Sequence, residues 1–301
     1  MKGKVNNKEQ LISVRKLMYC EGKANGEHVI EVDNGCLSFS LLLDRGFDIH
    51  YLRHNGVNLS FITKNGLSNV NDDFNHVFNG GFLYTCGLDT VGGRALPIHG
   101  RIHNVPAELK VLECDGLKFK AVAEVYQNGL FLDDLLMRRT IETEYNSGKI
   151  SIKTEIINVG VKDTDYCVLF HMNLGYPMLD SGVLIEAPIV STEPRTEYAK
   201  TKINDCLIME EPDPNIDETV FFHKVEKGNV KVINKKLGKV VEFNYDEKML
   251  PHFIEWKSMV AGDYALGIEP STTTLDSDFV KTPIKEGENH IFQIDIDVKN
   301  I

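Results

Sequence analysis

From residue 36 onward the chain reads as a succession of short apolar or alternating runs separated by turn residues, and no sustained helical period follows residue 20. This constrains the fold more than any other feature. Strands joined by short turns close as an antiparallel sandwich or barrel, whereas parallel units need helical crossovers between strands. Strands are expected at 36–43, 46–52, 57–62, 109–114, 117–127, 135–145, 149–158, 165–173, 183–188, 218–225, 229–235, 239–246, 252–259, 264–269 and 289–298. Among the turns between them are His54-Asn55-Gly56, Cys114-Asp115-Gly116, Gln127-Asn128-Gly129, Asn146-Ser147-Gly148 and Lys227-Gly228-Asn229. Asn-Gly is a strong hairpin signal because both residues tolerate positive φ. Ahead of the strands, Leu11, Ile12, Val14, Leu17 and Met18 are spaced as on a short N-terminal helix of about three turns over residues 8–20.

Two stretches interrupt this rhythm. Residues 63–107 are rich in Asn, Gly and Asp, and residues 191–217 hold Glu193-Pro194-Arg195 and Glu210-Glu211-Pro212-Asp213-Pro214. Long irregular segments in an all-β domain are usually functional loops or covers. No internal repeat and no Gly/Ser/Pro-rich linker divides the chain, so a single domain over 1–301 is expected.

Composition narrows the partners. A hydrophobic fraction of 42% supports a sizeable core, and a formal net charge of −11 with scattered Lys and Arg disfavours nucleic acid and anionic membrane surfaces. No apolar stretch is long enough for a transmembrane helix, and the lysine-rich start has no apolar segment behind it to act as a secretory signal. The six cysteines form no C-x-x-C pair and mostly sit in strand-like surroundings, as small buried hydrophobes of a reducing compartment do. A cytoplasmic protein is expected.

Three clusters carry chemistry. Pro97-Ile98-His99-Gly100-Arg101-Ile102-His103-Asn104 packs two histidines, an arginine and an asparagine into one loop-like segment. The four-residue spacing of His99 and His103 would align metal ligands on a helix, but Gly100 and Pro106 oppose a helix there, so no metal is expected. Phe170-His171-Met172-Asn173 follows an apolar strand, and residues two apart on a strand share a face. Glu269, in Gly267-Ile268-Glu269-Pro270, ends another apolar strand. A carboxylate there is costly unless paired or functional, and desolvation raises its pKa toward that of a general base. Arg45, Arg195, His223, Trp256 and Lys257 are weaker candidates; an aromatic face such as that of Trp256 stacks on the C–H face of a sugar, although a lone Trp is more often core. Glycine pairs at Gly80-Gly81 and Gly92-Gly93 would admit close backbone approach. Nucleotide-binding and nucleophile-elbow motifs are missing from the sequence.

Taken in order, Asp44-Arg45-Gly46-Phe47-Asp48-Ile49, Gly80-Gly81-Phe82-Leu83-Tyr84-Thr85-Cys86-Gly87-Leu88, His99-Gly100-Arg101, His171-Met172-Asn173-Leu174-Gly175-Tyr176-Pro177 and Ile268-Glu269-Pro270 resemble the galactose-mutarotase-like superfamily. The closer likeness is to its aldose-1-epimerase-like branch of the DUF4432 type. The resemblance implies an antiparallel β-supersandwich and a sugar held in a cleft on one sheet. It further implies a mutarotase, with Glu269 as general base, His171 as general acid and His99 binding the sugar; Arg101 and Asn173 are expected to help orient this small-molecule sugar, and no cofactor is expected. The chain departs from the better-known galactose enzymes in lacking a Gly-Arg-x-x-Asn-Arg motif before His99. It also lacks a clear counterpart of their substrate-contacting aspartate, a role for which His223 and Glu193 are candidates. Arg45, Arg94, Arg101 and Arg195 offer recognition of a phosphate, sulfonate or carboxylate, or equally structural ion pairs. The competing readings are a non-catalytic carbohydrate-binding or regulatory protein on the same fold, a different sugar enzyme, and a purely structural β-protein. A homodimer is compatible with a sandwich face or edge, although nothing in the sequence demands it.

Overall fold

The computed structural model describes residues 3–70, 72–93, 97–276 and 279–301. Its elements are overwhelmingly antiparallel strands. The first five, β1 (Ser13–Met18), β2 (His28–Asp33), β3 (Leu37–Leu42), β4 (Ile49–His54) and β5 (Val57–Asn58), pair in chain order as one sheet. A four-residue helix, α1 (Phe74–Val77), precedes β6 (Leu83–Leu88). Then β7 (Glu108–Cys114), β8 (Lys118–Gln127), β9 (Leu135–Glu144) and β10 (Lys149–Asn158) run as a meander, followed by the long β11 (Thr164–Leu174) and the short β12 (Leu184–Glu186). Next are β13 (Ile189–Pro194), α2 (Glu197–Thr201), β14 (Thr219–Val225), β15 (Asn229–Asn234) and β16 (Lys239–Tyr245). The chain ends with β17 (His252–Ser258), β18 (Ala265–Ser271), β19 (Thr282–Ile284) and β20 (Asn289–Asn300).

Two large sheets result. One has the order β12-β15-β16-β20-β10-β9-β8-β7 and the other β13-β14-β17-β18-β11-β19, with β6 also pairing β11. Strict alternation drives the first. On β10 every second residue is buried, and Ile150, Ile152 and Ile156 enter the core beside Phe292, Ile294 and Ile296 of β20. β11 differs, being buried on both faces over Tyr166–Leu174. Val168, Phe170, Met172 and Leu174 join the main core, whereas Cys167 and Leu169 join a smaller cluster with Tyr84, Cys86, Val220 and Ile254 on the opposite face. That second face is the one that carries the cleft described below.

Each expected strand is present, with ends shifted by a few residues. The N-terminal helix is not formed as expected. Only Lys8–Gln10 makes a 3-10 turn, capped by Asn7, and Ser13–Met18 pairs with His28–Asp33 as an edge strand. Leu17 and Met18 are exposed there, so the apolar spacing marked no buried helix face. Within 63–107, read as irregular, lies β6, a fully buried strand whose lack of alternation hid it. Two further strands, β13 and β19, contain prolines, which sequence patterns count against strands but edges tolerate.

The segment Asp44-Arg45-Gly46-Phe47-Asp48 has a structural task. Arg139 of β9 is fully buried and reaches the Asp48 carboxylate, the Gly46 carbonyl at 3.2 Å and the Thr85 hydroxyl at 2.9 Å. Asp48 in turn accepts from the Thr85 backbone N–H at 2.8 Å. A buried ion pair holds only when its remaining hydrogen bonds are made, and here they tie the first sheet, β9 and β6 together beneath the cleft. Among the described residues no helix is long and apolar enough to cross a membrane. All six cysteines are unpaired.

Candidate active site

The pairing of β11 with β18 sets Met172 against Ile268 and Asn173 against Gly267. Continuing that register by one residue sets His171 against Glu269. Both side chains leave the sheet on the face opposite the main core, and Nε2 of His171 lies 3.0 Å from Oε1 of Glu269. The two are 4% and 3% exposed, so this is a buried acid–base pair rather than a surface contact. Burial raises the Glu269 pKa well above the usual carboxylate value; Glu218 adds to the rise and Arg195 opposes it. Burial also pushes the His171 imidazole well below its ordinary value, with His99 adding to the shift and Asn173 opposing it. The 3.0 Å contact lacks the alignment of a hydrogen bond, so Glu269 Oε1, like His171 Nδ1, is left without a hydrogen-bond partner within the protein. Buried polar atoms of this kind are expected where a ligand supplies the missing partner.

Gly267 makes this approach possible. A Cβ at that position would sit 2.5 Å from Glu269 Oε1 and 2.9 Å from His171 Cε1. Gly267→Ala is therefore expected to force the pair apart and to lower any acid–base activity at least about tenfold, at a stability cost of roughly 1–3 kcal/mol. Turnover compared with urea unfolding checks this, and unchanged turnover would show that the pair's spacing does not matter.

His99 faces the pair from a different element. Its backbone is left-handed, with φ of 64°, and Gly100 follows at 79°. A Cβ on Gly100 would lie 2.3 Å from the Gly87 carbonyl and 2.5 Å from that of Thr90, so only glycine lets this loop lie against β6. The loop is further held by the His99 N–H donating to Gly92 and the Gly87 N–H donating to His99. The His99 ring stands nearly perpendicular to His171, 5.7 Å between centroids. Burial lowers its pKa to about 4, with Arg195 adding to the shift, so it is neutral at neutral pH.

The three residues open into a cleft of about 670 Å³. Trp256 forms one wall, 5.4 Å from the His171 ring, its orientation set by the indole N–H donating to Glu218 at 2.7 Å. Phe61, Phe74 and Phe78 add apolar faces, and Arg195 lies at the wall in a bidentate pair with Asp276, at 2.8 and 2.9 Å. Sequence patterns do not single out Phe61, Gly267 or Glu218. Phe74 and Phe78 are four apart and stacked at 4.8 Å, a spacing that was a readable signal within the polar 63–107 segment.

Other expected site residues lie elsewhere. Asn173 is fully buried behind His171, donating to the carbonyls of Gly81 at 3.0 Å and His171 at 3.2 Å. Arg45 and Arg101 border a neighbouring cavity, Arg45 held by Glu27 at 2.9 Å and Arg101 by Asp89. His223 is not at the cleft. On β14 and β17, Val220, Ile254 and Trp256 face the cleft side, and alternation turns His223 and Glu255 to the opposite face. There His223 is buried between Glu255 at 2.8 Å and Thr192 at 2.9 Å. Glu193 is exposed on edge strand β13. Lys257 is buried with its ammonium donating to the carbonyls of Asp205, Cys206 and Ile208. Arg94 lies outside the described residues. Among the described residues, the group whose ligand atoms converge closely enough for a metal is the exposed Asp72, Asp73 and His76, which includes neither His99 nor His103.

The fold recurs in solved structures. A provisionally assigned aldose 1-epimerase from Klebsiella pneumoniae superposes with a TM-score of 0.85 at 20% identity, over 95% of this chain and 83% of that one. A galactose mutarotase-like protein from Clostridium acetobutylicum gives 0.72 at 13% identity, over 97% and 100%. Galactose 1-epimerase from Lactobacillus acidophilus gives 0.65 at 12% identity, over 96% and 99%. No functionally curated protein matches the chain in sequence. At these identities the likeness is one of fold. In sequence, the family described as "Domain of unknown function (DUF4432)" matches residues 24–294, so the chain belongs to that family, on a galactose mutarotase-like β-sandwich.

Proposed function

We propose that the protein is an aldose mutarotase, interconverting α and β anomers by proton transfer between the sugar, Glu269 and His171. The observation that carries this reading is the buried His171–Glu269 contact, 3.0 Å across adjacent strands at the wall of an aromatic-lined cleft. Mutarotation breaks the bond between C1 and the ring oxygen and closes it again on the other face. Glu269 takes the proton of the anomeric hydroxyl while His171 gives one to the ring oxygen. After rotation about C1–C2 both transfers run backwards. In the open-chain state Glu269 is protonated and His171 neutral, which is the distribution burial favours. The charged pair that starts the cycle is reached by a proton shift from Glu269 to His171 across their 3.0 Å separation, against the distribution that burial favours. His99, neutral at neutral pH, is able to donate to or accept from a sugar hydroxyl, and Trp256 offers its face to the sugar C–H groups.

The aldose-epimerase assignments of the structural relatives support the same reading by analogy of fold. Six unpaired cysteines accord with a reducing, cytoplasmic setting.

NMR magnetisation transfer across a panel of neutral, phosphorylated and acidic aldoses tests the proposal. Accelerated exchange with one sugar class is the expected result. Saturable sugar binding with no exchange would instead make the protein a carbohydrate-binding one.

A further inference from the structure

The cleft has a neighbour. A second cavity of about 500 Å³ shares Phe74, Asn75 and Ile98 with it and is bordered on its own side by Arg45, Tyr84, Arg101, His103 and Asn104. The partition between them is aromatic. The Tyr84 ring lies 4.2 Å from His103 and 6.0 Å from His99, and His99 lies 5.7 Å from His171. Both volumes fall in the ~300–1,000 Å³ range of small-molecule sites. The mutarotase reading uses only the first.

We propose that the second cavity is a sugar subsite, so that the preferred substrate is a reducing disaccharide or longer glycan, its reducing unit in the cleft and its next unit beside His103. This rests on the mutarotase reading for the placement of the reducing unit.

The chemistry of the walls favours a neutral hydroxylated ring over an anion. Both arginines already have carboxylates, Arg45 that of Glu27 at 2.9 Å and Arg101 that of Asp89, and the rim adds Asp72 and Asp73. An anionic group would meet compensated cations and like charge. A sugar ring needs apolar surface for its C–H face and mixed donors and acceptors for its hydroxyls. Phe74 and Tyr84 supply the first, and Asn75, Asn104 and the aspartates the second. His103 is 3% exposed and its Nδ1 has no partner within the protein. It is held neutral, its pKa lowered to about 3 by burial and then by His99 and Arg45. A neutral imidazole has one donor and one acceptor nitrogen, the pairing that a hydroxyl answers.

The experiment compares glucose with maltose, cellobiose and isomaltose, and galactose with its β-1,4- and β-1,6-linked galactobioses, by anomer exchange at the reducing end. Saturation-transfer NMR on the same sugars reports which rings touch protein. The variants are His103→Phe, which keeps the contact with Tyr84, and Val77→Trp, which fills the second cavity from the half-buried end of α1. The expected result is kcat/KM at least about tenfold higher for one disaccharide than for its reducing-end monosaccharide, the equivalent of about one net hydrogen bond. Both variants should abolish that gain and leave monosaccharide exchange unchanged. Equal kcat/KM for mono- and disaccharides overturns the inference and leaves the mutarotase reading standing. If no sugar is exchanged, the mutarotase reading fails. The subsite then stands only if the non-reducing ring shows saturation transfer that His103→Phe removes, and it falls if that ring shows none.

Discussion

Glu269→Gln is expected to lower anomer exchange by a factor of about 10²–10⁴, the usual contribution of one general acid or base. The fold should be retained. Burial already favours the protonated, uncharged form of Glu269, and the glutamine amide is its neutral isostere, so no buried charge is lost. His171→Asn should cost a similar factor, because the proton for the ring oxygen then has to come from water. The double variant should lose little beyond either single one, since two groups that exchange protons with one substrate act as a unit. Magnetisation-transfer rates, read beside thermal unfolding of each variant, decide the matter. Near-normal exchange in both single variants would reject the assignment of the pair, whatever the sugar.

The second large effect is on stability. Burial depresses the pKa of His50 and His99 from 6.5 to about 4 and that of His103 to about 3. A histidine whose folded-state pKa is depressed contributes stability above its unfolded value, and that stability is lost as pH falls from 6.5 toward the folded value. Between pH 7 and pH 5 the unfolded chain takes up protons that the folded chain refuses, costing about 2 kcal/mol for each of the three, or about 6 kcal/mol together. Glu269 and His171 are shifted in opposite directions, so their contributions run against each other over the same interval. Against a typical total of about 5–15 kcal/mol, such a loss brings the fold close to acid unfolding near pH 5. Urea titrations at pH 7, 6 and 5 measure it, and His103→Phe should remove about a third of the slope. A stability that stays flat from pH 7 to 5 would mean that these imidazoles are hydrated in solution.

Local chemistry was legible wherever one residue type forces one backbone. Asn55-Gly56 forms a turn with φ of 50° and 79° between β4 and β5, because those residues alone take positive φ cheaply. The meander β7 to β10 follows from alternation interrupted by Asp115-Gly116, Asn128-Gly129 and Ser147-Gly148. His99-Gly100 stood out because two histidines, an arginine and an asparagine crowd one segment in which Gly100 opposes a helix, and the structure brings that segment against Gly87 as a loop. The N-terminal segment failed for a matching reason. An exposed edge strand has no buried face, so the positions of Leu17 and Met18 carried no period to read.

What the sequence by itself determined is therefore the class of fold, most of the strands and a set of candidate site residues. It could not decide which of them meet. His171 and Glu269 face each other only through the register of β11 on β18, and register between distant strands is set by core packing, not by local preference. Nor could it decide which face a central strand turns to the cleft. His223 and Trp256 both lie in runs buried on either side, where hydrophobicity no longer distinguishes one face from the other. Only the packing of the second sheet against one of those faces sent Trp256 to the cleft and His223 to its buried partner Glu255.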